Sequence, residues 1–594
     1  MRAHSLDTDV LVIGGGAAGC AAALAAQARG ARVQMIVKGK MGRSGATPLA
    51  SAVMGAAPTT LPLPLMKLAV KAYRALPAAL RPPLPARERA ALARTMGFHH
   101  WLVDQDYFID FGLWSLEHFF PALEQRGLYV PREASGKPAT ALAGAPVYNL
   151  QSHGMSGYQY GEAKRKDVLA AGVPVMEEAM AYRLLPSAGG AVAGAMVLDY
   201  RTGRHLAVRA KATILATGHT NWLATRATGT REMAANGYAM AARAGAELQN
   251  LEIQWFHGSD MAAPESWMRL HHYPNPMTGS KHRAVMMNGD GEEYMRIEDY
   301  DVNMPYTIQL KKLYAQVNAG KASWDRGSFA QYGRVDPAIL KKHQYHWEFY
   351  EKLGLDMGTD KLESGVTWHM SAGGIRADIR SMATAVPGLY IAGAVGAHML
   401  GGLSFCAYDG ELAGASAARH AAGRATPAPD SRAVEAGEAK LGALLAGAGT
   451  GGGLSPIEAK RRVRALVWDT MMYRKNAQTL GRAIADLDAL RREVLPRIRL
   501  RTGTLRFNTD LMDALDVEDM IDVAEMTARA SLAREESRGP HFREDFPFTD
   551  DDNWLKRVVV SWREGKVALR TEPVPQPYVK PERGRLDYLD VPTA

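Results

Sequence analysis

The feature that most constrains this chain lies near its start, where a short apolar stretch runs directly into three closely spaced glycines. Residues 9–13 read Asp-Val-Leu-Val-Ile, and Gly-x-Gly-x-x-Gly and an alanine-rich helical pattern follow. A turn this tight between a strand and a helix leaves room for backbone only, and backbone N–H groups at a helix N-terminus bind a pyrophosphate. The pattern therefore predicts a dinucleotide site at Gly14, Gly16, Ala17, Ala18 and Gly19.

Length and composition set the class of protein. A chain of 594 residues needs several domains, and 47% hydrophobic with 22% charged residues is typical of a soluble globular protein. Two cysteines, Cys20 and Cys406, are too few for a disulfide framework, an iron–sulfur cluster or a structural zinc site. We therefore expect a reducing compartment and no metal, and the patterning predicts no secretory signal and no membrane-spanning helix.

The net charge of +9 is modest for this length. It suits an anionic substrate, an acidic partner or a membrane surface. Because no compact basic patch is interleaved with aromatic residues, we expect no nucleic-acid binding.

Other apolar runs end in segments that also point to the cofactor. The second run ends at Val37–Lys38, where a dinucleotide fold normally has an acid for a ribose hydroxyl, so that contact is missing or made elsewhere. A polar loop with Arg43, Ser44 and Gly45 follows and is able to wrap a cofactor. Later runs end in Ala216-Thr217-Gly218 and in Gly393-Ala394.

Composition shifts divide the chain. Residues 258–365 are polar and aromatic and lack the rhythm of a parallel sheet, residues after 426 turn helical, and residues from 571 are proline-rich. The segment 56–88 has an amphipathic stretch with a basic face, which fits a surface helix packed on its own domain or a contact with a membrane or partner.

A series of further motifs follows in a fixed order along the chain. They are Arg43-Ser44-Gly45, Trp101–Asp106, Leu116–His118, Ala216–Gly218, Leu251–His257, His369–Ile375, Gly388–Gly393 and Arg534–Pro547. In this order they resemble the flavoprotein subunits of succinate dehydrogenase and fumarate reductase, a family that includes L-aspartate oxidase and the alpha subunit of adenylylsulfate reductase.

The resemblance implies FAD as cofactor and an α/β fold. In that fold a discontinuous Rossmann-like FAD-binding domain (1–257 and 366–425) is interrupted by an α+β capping domain (258–365). A C-terminal helical domain (426–570) and an extended tail (571–594) complete the expected arrangement.

The resemblance also implies roles for particular residues. His257 and His369 match family histidines that contact a substrate carboxylate, and Leu403 and Ser404 match the segment that holds the flavin C2 carbonyl. The expected reaction passes a hydride between flavin N5 and a substrate carbon.

Several positions depart from the family pattern. Gly45 stands where relatives with covalent FAD have a histidine, which implies noncovalent FAD, and Ala394 replaces a glutamate. Met399 stands where dicarboxylate enzymes have an arginine, and residues 302–308 lack the Ser-Arg-Asp of the capping domain. These losses argue against succinate or fumarate as substrate, with His398 a substitute hydrogen-bond donor and Tyr306 a candidate acid.

The expected function is therefore an FAD-dependent oxidoreductase that acts on a carbon–carbon bond of a small organic acid. Its electrons would pass through an iron–sulfur or ferredoxin-like partner, in the cytoplasm or on the inner face of the membrane. Three alternatives stay open: an oxidase resembling L-aspartate oxidase, an enzyme resembling adenylylsulfate reductase, and a flavin-binding scaffold protein without turnover. The pair His271-His272 in the capping segment is not read as a metal site.

Overall fold

The computed structural model of the chain describes residues 2–50, 52–54, 63–77, 80–126, 147–149, 157–263, 285–295, 305–333, 336–338, 341, 347–398, 402–563, 565–582 and 584–589. The helices of these residues are α1 (Ala17–Gln27), α2 (Leu63–Ala75), α3 (Ala86–Phe98), α4 (Gln105–Trp114), α5 (Phe120–Gln125), α6 (Gly157–Ala170), α7 (Asn236–Arg243), α8 (Pro305–Asn318), α9 (Trp347–Lys352), α10 (Leu403–Ala421), α11 (Ser431–Ala446), α12 (Pro456–Met471), α13 (Ala477–Ala489) and α14 (Thr509–Ala533). None of them is long and apolar enough to cross a bilayer.

The strands of the described residues are β1 (His4–Ile13), β2 (Val33–Val37), β3 (Ala52–Met54), β4 (Val147–Asn149), β5 (Val175–Glu177), β6 (Ala179–Pro186), β7 (Val192–Asp199), β8 (Arg204–Leu215), β9 (Leu248–Gln249), β10 (Gln254–Met261), β11 (Val285–Met287), β12 (Glu293–Met295), β13 (Ser328–Gln331), β14 (Leu362–Ser371), β15 (Gly374–Ile375), β16 (Leu389–Ile391), β17 (Arg474–Lys475), β18 (Phe542–Arg543), β19 (Phe548–Asp550), β20 (Lys556–Arg563), β21 (Lys566–Pro573) and β22 (Arg585–Asp587).

The largest sheet has the order β5-β2-β1-β8-β7-β6, with β16 added on β8. β1 pairs in parallel with β2 and β8, whereas β6, β7 and β8 form an antiparallel meander. Because β1, β2 and β8 are buried on both faces, they read in the sequence as nearly continuous apolar runs. The predicted α/β class is confirmed.

Helices α1 and α10 pack closely against each other beside this sheet. A Cβ atom on Gly410 would lie 2.4 Å from the carbonyl oxygen of Ala18, and one on Gly414 would lie 2.2 Å from that of Ala22. Glycine is therefore required at both positions for the two backbones to approach this closely. The contact fixes the N-termini of both helices on the same side of the sheet.

The inserted region carries a second sheet of order β10-β14-β13-β11-β12, together with α8 and α9. This arrangement matches the predicted α+β character of the insertion. Strands β10 and β14 are antiparallel neighbours and lead into and out of the insertion. His271, His272 and the nearby Arg283 lie outside the described residues.

The C-terminal part begins as helices and ends as strands. Helices α12, α13 and α14 pack on one another, and β20 and β21 then form an antiparallel hairpin that joins β9 and β15 in one sheet. The expected helical domain extends to 570 and is followed by an extended tail, whereas in the structure the last helix ends at Ala533 and β18–β22 follow. In β20 the run Val558-Val559-Val560 is fully buried, so both faces of the strand are covered. Such a strand lacks the alternation of polar and apolar residues by which a strand is recognised in a sequence.

Candidate active site

A cleft with about 1160 Å³ of empty space opens at the carboxyl ends of β1, β2, β8 and β16. In parallel sheets of this kind, ligands bind at that edge. Most of the predicted cofactor residues line the cleft, namely Gly14, Gly16, Ala17, Ala18, Lys38, Ser44, Gly45, Ala216, Thr217, Gly218, Ala394 and Leu403. The structure thus brings together segments that are far apart in the sequence.

The glycine turn shapes the floor of this cleft. Gly14 has φ of +122°, and a Cβ atom there would lie 2.1 Å from the carbonyl oxygen of Ala216. A Cβ atom on Gly19 would lie 2.0 Å from the carbonyl oxygen of Gly14, so Gly19 lets α1 approach the turn without lining the cleft itself. The positive end of the α1 dipole therefore faces a space from which side chains are excluded, which is the requirement for a pyrophosphate.

Arg43, Gly393 and Ser404, which were also predicted to bind the cofactor, do not line the cleft. The guanidinium of Arg43 turns away to Glu162, at 2.8 Å from Nη2 to Oε2. Gly393 has φ of +71° and lies against Ala18, where an added Cβ atom would be 2.7 Å from the Ala18 Cβ. Ser404 is fully buried in the first turn of α10. Gly45 has open space on its Cβ side and carries no group able to bond a cofactor covalently.

Four lining or bracing residues were not predicted. Thr47 accepts a hydrogen bond from the Ala17 N–H at 2.9 Å, and Glu232, Asn236 and His219 line the cleft. Thr47 belongs to the polar loop that also contains Arg43, Ser44 and Gly45. Its place in that loop was therefore a sequence signal for a role at the cofactor site. Glu232, His219 and Asn236 had no such signal, because His219 and Glu232 lie in the irregular segment after β8 and Asn236 begins α7.

The residue after β2, where an acid would normally bind the ribose, is Lys38, and it forms an ion pair with α14. The Lys38 ammonium lies 2.6 Å from the Asp516 carboxylate of α14 and 3.0 Å from the Asn236 side-chain oxygen. Burial works against the charge of Asp516, but the ammonium groups of Lys38 and Lys460 hold the pKa of Asp516 below its usual value. Glu232 is an acid that does line the cleft beside Gly39, and it is a candidate for the missing ribose contact.

The two predicted substrate histidines come together on neighbouring strands. His257 lies on β10 and His369 on β14, and their rings stack with centroids 3.7 Å apart and planes inclined by 24°. Backbone pairing places His257 opposite Thr367, and a bulge in the ladder brings His369 to the same place. Two residues from opposite ends of the insertion therefore form a single site.

Each imidazole is oriented by a polar neighbour. His257 Nδ1 lies 3.0 Å from Asp260 Oδ1, and Asp260 is fully buried and also accepts a hydrogen bond from the Thr367 hydroxyl. His369 Nδ1 lies 2.9 Å from the hydroxyl of Thr228. A carboxylate that accepts from Nδ1 fixes the tautomer and the orientation of the His257 ring, as in other oriented acid–base pairs.

Helix α8 packs against the His257 strand. Its Gln309 is fully buried, and no described residue forms a hydrogen bond with the side-chain amide. The Gln309 Cβ lies 3.1 Å from the point that a Cβ atom on Gly258 would occupy, which places the helix directly beside His257. The backbone of Tyr306 belongs to the first turn of α8, and its side chain is not among the described groups.

His398 does not join the other two histidines in any of its described contacts. It is buried against the Tyr107 ring, with centroids 5.5 Å apart, and lines a second cleft. Burial lowers the pKa of His398 to about 4. Met399, the residue at the expected arginine position, lies outside the described residues.

The described residues hold no group of three or more His, Cys, Asp or Glu side chains able to bind a metal ion.

The chain is similar in sequence to known flavoproteins. Residues 9–405 match the model of the FAD binding domain, and residues 460–585 match that of the fumarate reductase flavoprotein C-terminus. One subunit of the CoM/CoB fumarate reductase of Methanothermobacter marburgensis is 26% identical over 94% of this chain and 98% of its own. The L-aspartate oxidase of Streptomyces coelicolor is 26% identical over 71% of this chain and 72% of its own.

A solved E. coli quinol fumarate reductase chain, FrdA, superposes with a TM-score of 0.80 at 20% identity, covering 96% of this chain and 97% of its own. The glycine turn and cleft fit the FAD that the matched domain binds. The chain therefore belongs to the FAD-dependent oxidoreductase family of fumarate reductase and succinate dehydrogenase flavoproteins.

Proposed function

We propose that this protein transfers a hydride between FAD and a carbon–carbon bond of a small organic acid. The observation that carries the proposal is the stacked pair His257 and His369, each held by a polar neighbour, on the two strands that frame the insertion. When bound, FAD supplies the hydride donor or acceptor at N5. The residues Gly14, Ala17 and Lys38 and the loop at Ser44 and Gly45 would hold it noncovalently.

The His257–Asp260 pair is suited to moving the proton that accompanies the hydride. In the reducing direction, protonated His257 gives its proton from Nε2 to the substrate carbon next to the one that receives the hydride. The Asp260 carboxylate accepts a hydrogen bond from Nδ1 and keeps the ring in one orientation during the transfer. His369, fixed through Thr228, donates to a carboxylate oxygen of the substrate, and the unpaired amide of Gln309 binds a further polar group.

We propose that the substrate is neither fumarate nor succinate. Two arginines that clamp and protonate dicarboxylates in relatives are replaced in the sequence, one of them by Met399. A guanidinium binds a carboxylate through two parallel hydrogen bonds, and a thioether offers nothing comparable. An acid with one carboxylate and an apolar or aromatic remainder suits this chain better.

We also propose that electrons reach the flavin through an iron–sulfur protein. The relative from Methanothermobacter marburgensis is one part of a larger enzyme, and two cysteines leave this chain without a cluster of its own. An oxidase resembling L-aspartate oxidase is the second candidate, favoured by the similarity to that enzyme. Peroxide released by the isolated chain in air at the rate of substrate oxidation would decide for the oxidase.

Residues 63–77 support a contact at the surface. Helix α2 buries only Met66, and Leu65 and Leu68 are 54% and 64% exposed beside the exposed Lys71. An apolar face with basic flanks suits an anionic membrane surface, which would place the protein on the cytoplasmic face of its membrane. Flotation with anionic but not with neutral vesicles tests this contact, and Leu68→Glu should abolish it.

The reaction itself is tested with flavin absorbance. The holoprotein is reduced without oxygen by one equivalent of dithionite and mixed with crotonate, cinnamate or fumarate. We expect the oxidised flavin spectrum to return with crotonate or cinnamate and not with fumarate. The proposal fails if none of the unsaturated acids reoxidises the flavin, and rapid reoxidation by fumarate would overturn the substrate assignment.

The role of Asp260 has its own control. Asp260→Asn should slow reoxidation by the active acid about 100-fold, the lower range for a lost acid–base function. Asp290→Asn, at a carboxylate that is 61% exposed in the same inserted region, should leave the rate unchanged. The slowed variant should also show a larger solvent deuterium isotope effect, because proton transfer then limits the rate.

A further inference from the structure

A second cleft, with about 1230 Å³ of empty space, lies where the β20–β21 hairpin meets the FAD-binding part of the chain. The described residues that line it are not shared with the FAD cleft. Its charged lining consists of Asp104, Glu247, Arg376, Asp378, Arg557 and Arg570. The lining has as many acids as arginines, so the pairing of each charge decides what the cleft can bind.

Two of the arginines are fully paired. Arg570 lies 2.6 Å from Glu247 and 2.7 Å from Glu572, and Arg376 lies 2.7 Å from Glu572 and 3.4 Å from Glu247. These four side chains form a closed ring of alternating charge. They leave no strong requirement for an additional ion.

Arg557 is different. Its side chain is 13% exposed, its Nε is buried without a hydrogen-bond partner, and the nearest described carboxylate, Asp104, is 3.9 Å from Nη2. Burial lowers the pKa of Arg557 and Arg376 adds to this effect, while the carboxylates of Asp104 and Glu572 act against it. Because the contact with Asp104 is long and leaves Nε unbonded, the guanidinium is complementary to an oxyanion that accepts from Nε and Nη together.

Two more polar groups in the same cleft lack hydrogen-bond partners among the described residues. They are Nε2 of His398 and the side-chain oxygen of Gln249, and both residues are 5% exposed. With its low pKa, His398 is neutral and donates from Nε2 in the matching tautomer. Gln249 Oε1 accepts only, so a ligand that binds there has to supply a donor such as a hydroxyl group.

We infer that this cleft binds a small, singly charged oxyanion that carries a hydroxyl group, such as dihydrogen phosphate or a 2-hydroxymonocarboxylate. The anionic oxygens lie on Arg557 and His398, and the hydroxyl donates to Gln249. The carboxylates of Asp104, Glu247 and Asp378 disfavour ligands of higher charge. This site is independent of the reaction proposed above.

Thermal unfolding of the FAD-loaded protein at pH 6 tests the inference. Inorganic phosphate, lactate and propionate are titrated against sodium chloride at equal ionic strength. We expect saturating rises in Tm with phosphate or lactate, and a smaller one with propionate, which has no hydroxyl. Absence of a rise above chloride with both phosphate and lactate overturns the proposal.

Matched variants separate the site from general salt effects. Arg557→Met should remove the anion-dependent rise, whereas Arg563→Met, at an exposed arginine on the same strand, should keep it. An equal rise in Arg557→Met overturns the proposal. If that variant does not fold, equilibrium dialysis of the unmodified holoprotein with labelled phosphate decides, since one bound phosphate per chain supports the site and none excludes it. His398→Gln should then bind several-fold more weakly than the unmodified protein.

Discussion

Helices α1 and α14 are both almost entirely buried, yet they are built in opposite ways. Helix α1 contains only alanine, glycine, cysteine, leucine and glutamine and has no charged residue. Helix α14 buries an acidic residue at every third position, namely Asp510, Asp513, Asp516, Asp519, Asp522 and Glu525. Both arrangements are stable because each solves a different packing problem.

The first helix has to bring backbone close to a ligand and to a neighbouring helix, and small side chains allow this. The second helix has to connect parts of the chain that are distant in sequence. Its carboxylates bind Lys38 after β2, Arg243 of α7, Lys460 of α12 and Arg491, with Lys460 2.9 Å from both Asp513 and Asp516. Close approach in one region and charge pairing in the other together hold the FAD cleft in shape.

The largest expected effect comes from adding volume to the α1 turn. Gly19→Val would place its Cβ within 2.0 Å of the Gly14 carbonyl oxygen, so the helix has to move away from the turn. We expect a loss of more than about 4 kcal/mol in the free energy of unfolding, with loss of bound FAD. Urea unfolding and the ratio of flavin to protein absorbance measure the two effects.

Gly442→Ala in α11 is the matched control, because nothing lies within 4 Å of its added Cβ. It should be neutral or stabilise by up to about 1 kcal/mol. Equal stability of the two variants would contradict the role assigned to close backbone contact.

Removing one carboxylate from α14 should have the next largest effect. Asp516→Ala leaves the ammonium groups of Lys38 and Lys460 without their shared partner, and Lys460 is 2% exposed. Breaking a buried pair in this way costs about 3–5 kcal/mol. The affinity for FAD should fall as well, because Lys38 lines the cleft.

Asp510→Ala on the same helix provides the comparison, because its partner Arg501 is 76% exposed. In the variant, water takes the place of the lost carboxylate beside the exposed Arg501 guanidinium. The loss in the free energy of unfolding should therefore be much smaller than in Asp516→Ala. The comparison between the two aspartates fails if both variants unfold at the same urea concentration.

The glycine turn and the cofactor strands could be predicted from sequence because their constraint is local. Gly14, Gly19 and the strand before them satisfy steric requirements that a few neighbouring residues impose. The regular spacing of acidic residues in α14 is also visible in the sequence, but the sequence does not show that these residues are buried in ion pairs. A run of acids every third residue equally fits a solvated helix face, and only the fold shows that Lys38 and Arg243 arrive from the other side.

The site could be predicted only in part for the same reason. The resemblance to a family identified His257 and His369, and their contact is now visible, but Asp260 and Gln309 had no motif to mark them. The resemblance associates His398 and Met399 with the substrate, and the structure places His398 in the lining of the second cleft rather than of the FAD cleft. Which way a side chain points after a strand depends on packing from distant residues, and local sequence does not contain that information.

A smaller and pH-dependent effect is expected at His398, because burial outweighs the nearby Asp378 carboxylate and keeps its imidazole neutral, unlike the paired acids of α14. The pKa of His398 is about 4 in the folded protein and 6.5 in the unfolded chain. Below pH 6.5 the unfolded state gains a proton that the folded state does not, so stability is lost as the pH falls from 6.5 towards 4. At pH 5 this loss amounts to about 2 kcal/mol relative to pH 7.

His398→Gln should remove that part of the acid destabilisation while leaving the unfolding free energy at pH 7 within about 1 kcal/mol of the original. Urea titrations in chloride at pH 7 and pH 5 give the difference. An unchanged pH dependence would mean that His398 is not held neutral by burial.

The smallest effect is expected at the surface pair Lys67–Glu117, and it isolates what burial contributes. The nitrogen–oxygen distance is 2.7 Å there and 2.6 Å in Lys38–Asp516, so geometry is nearly the same. The side chains of the surface pair are 47% and 36% exposed, whereas those of the buried pair are 16% and 2% exposed. Glu117→Gln should therefore change the unfolding free energy by less than about 1 kcal/mol, and 1 M salt should abolish even that difference. A loss comparable to that of Asp516→Ala would show that distance rather than burial sets the strength of these pairs, and the contrast between surface and interior drawn from α14 would not hold.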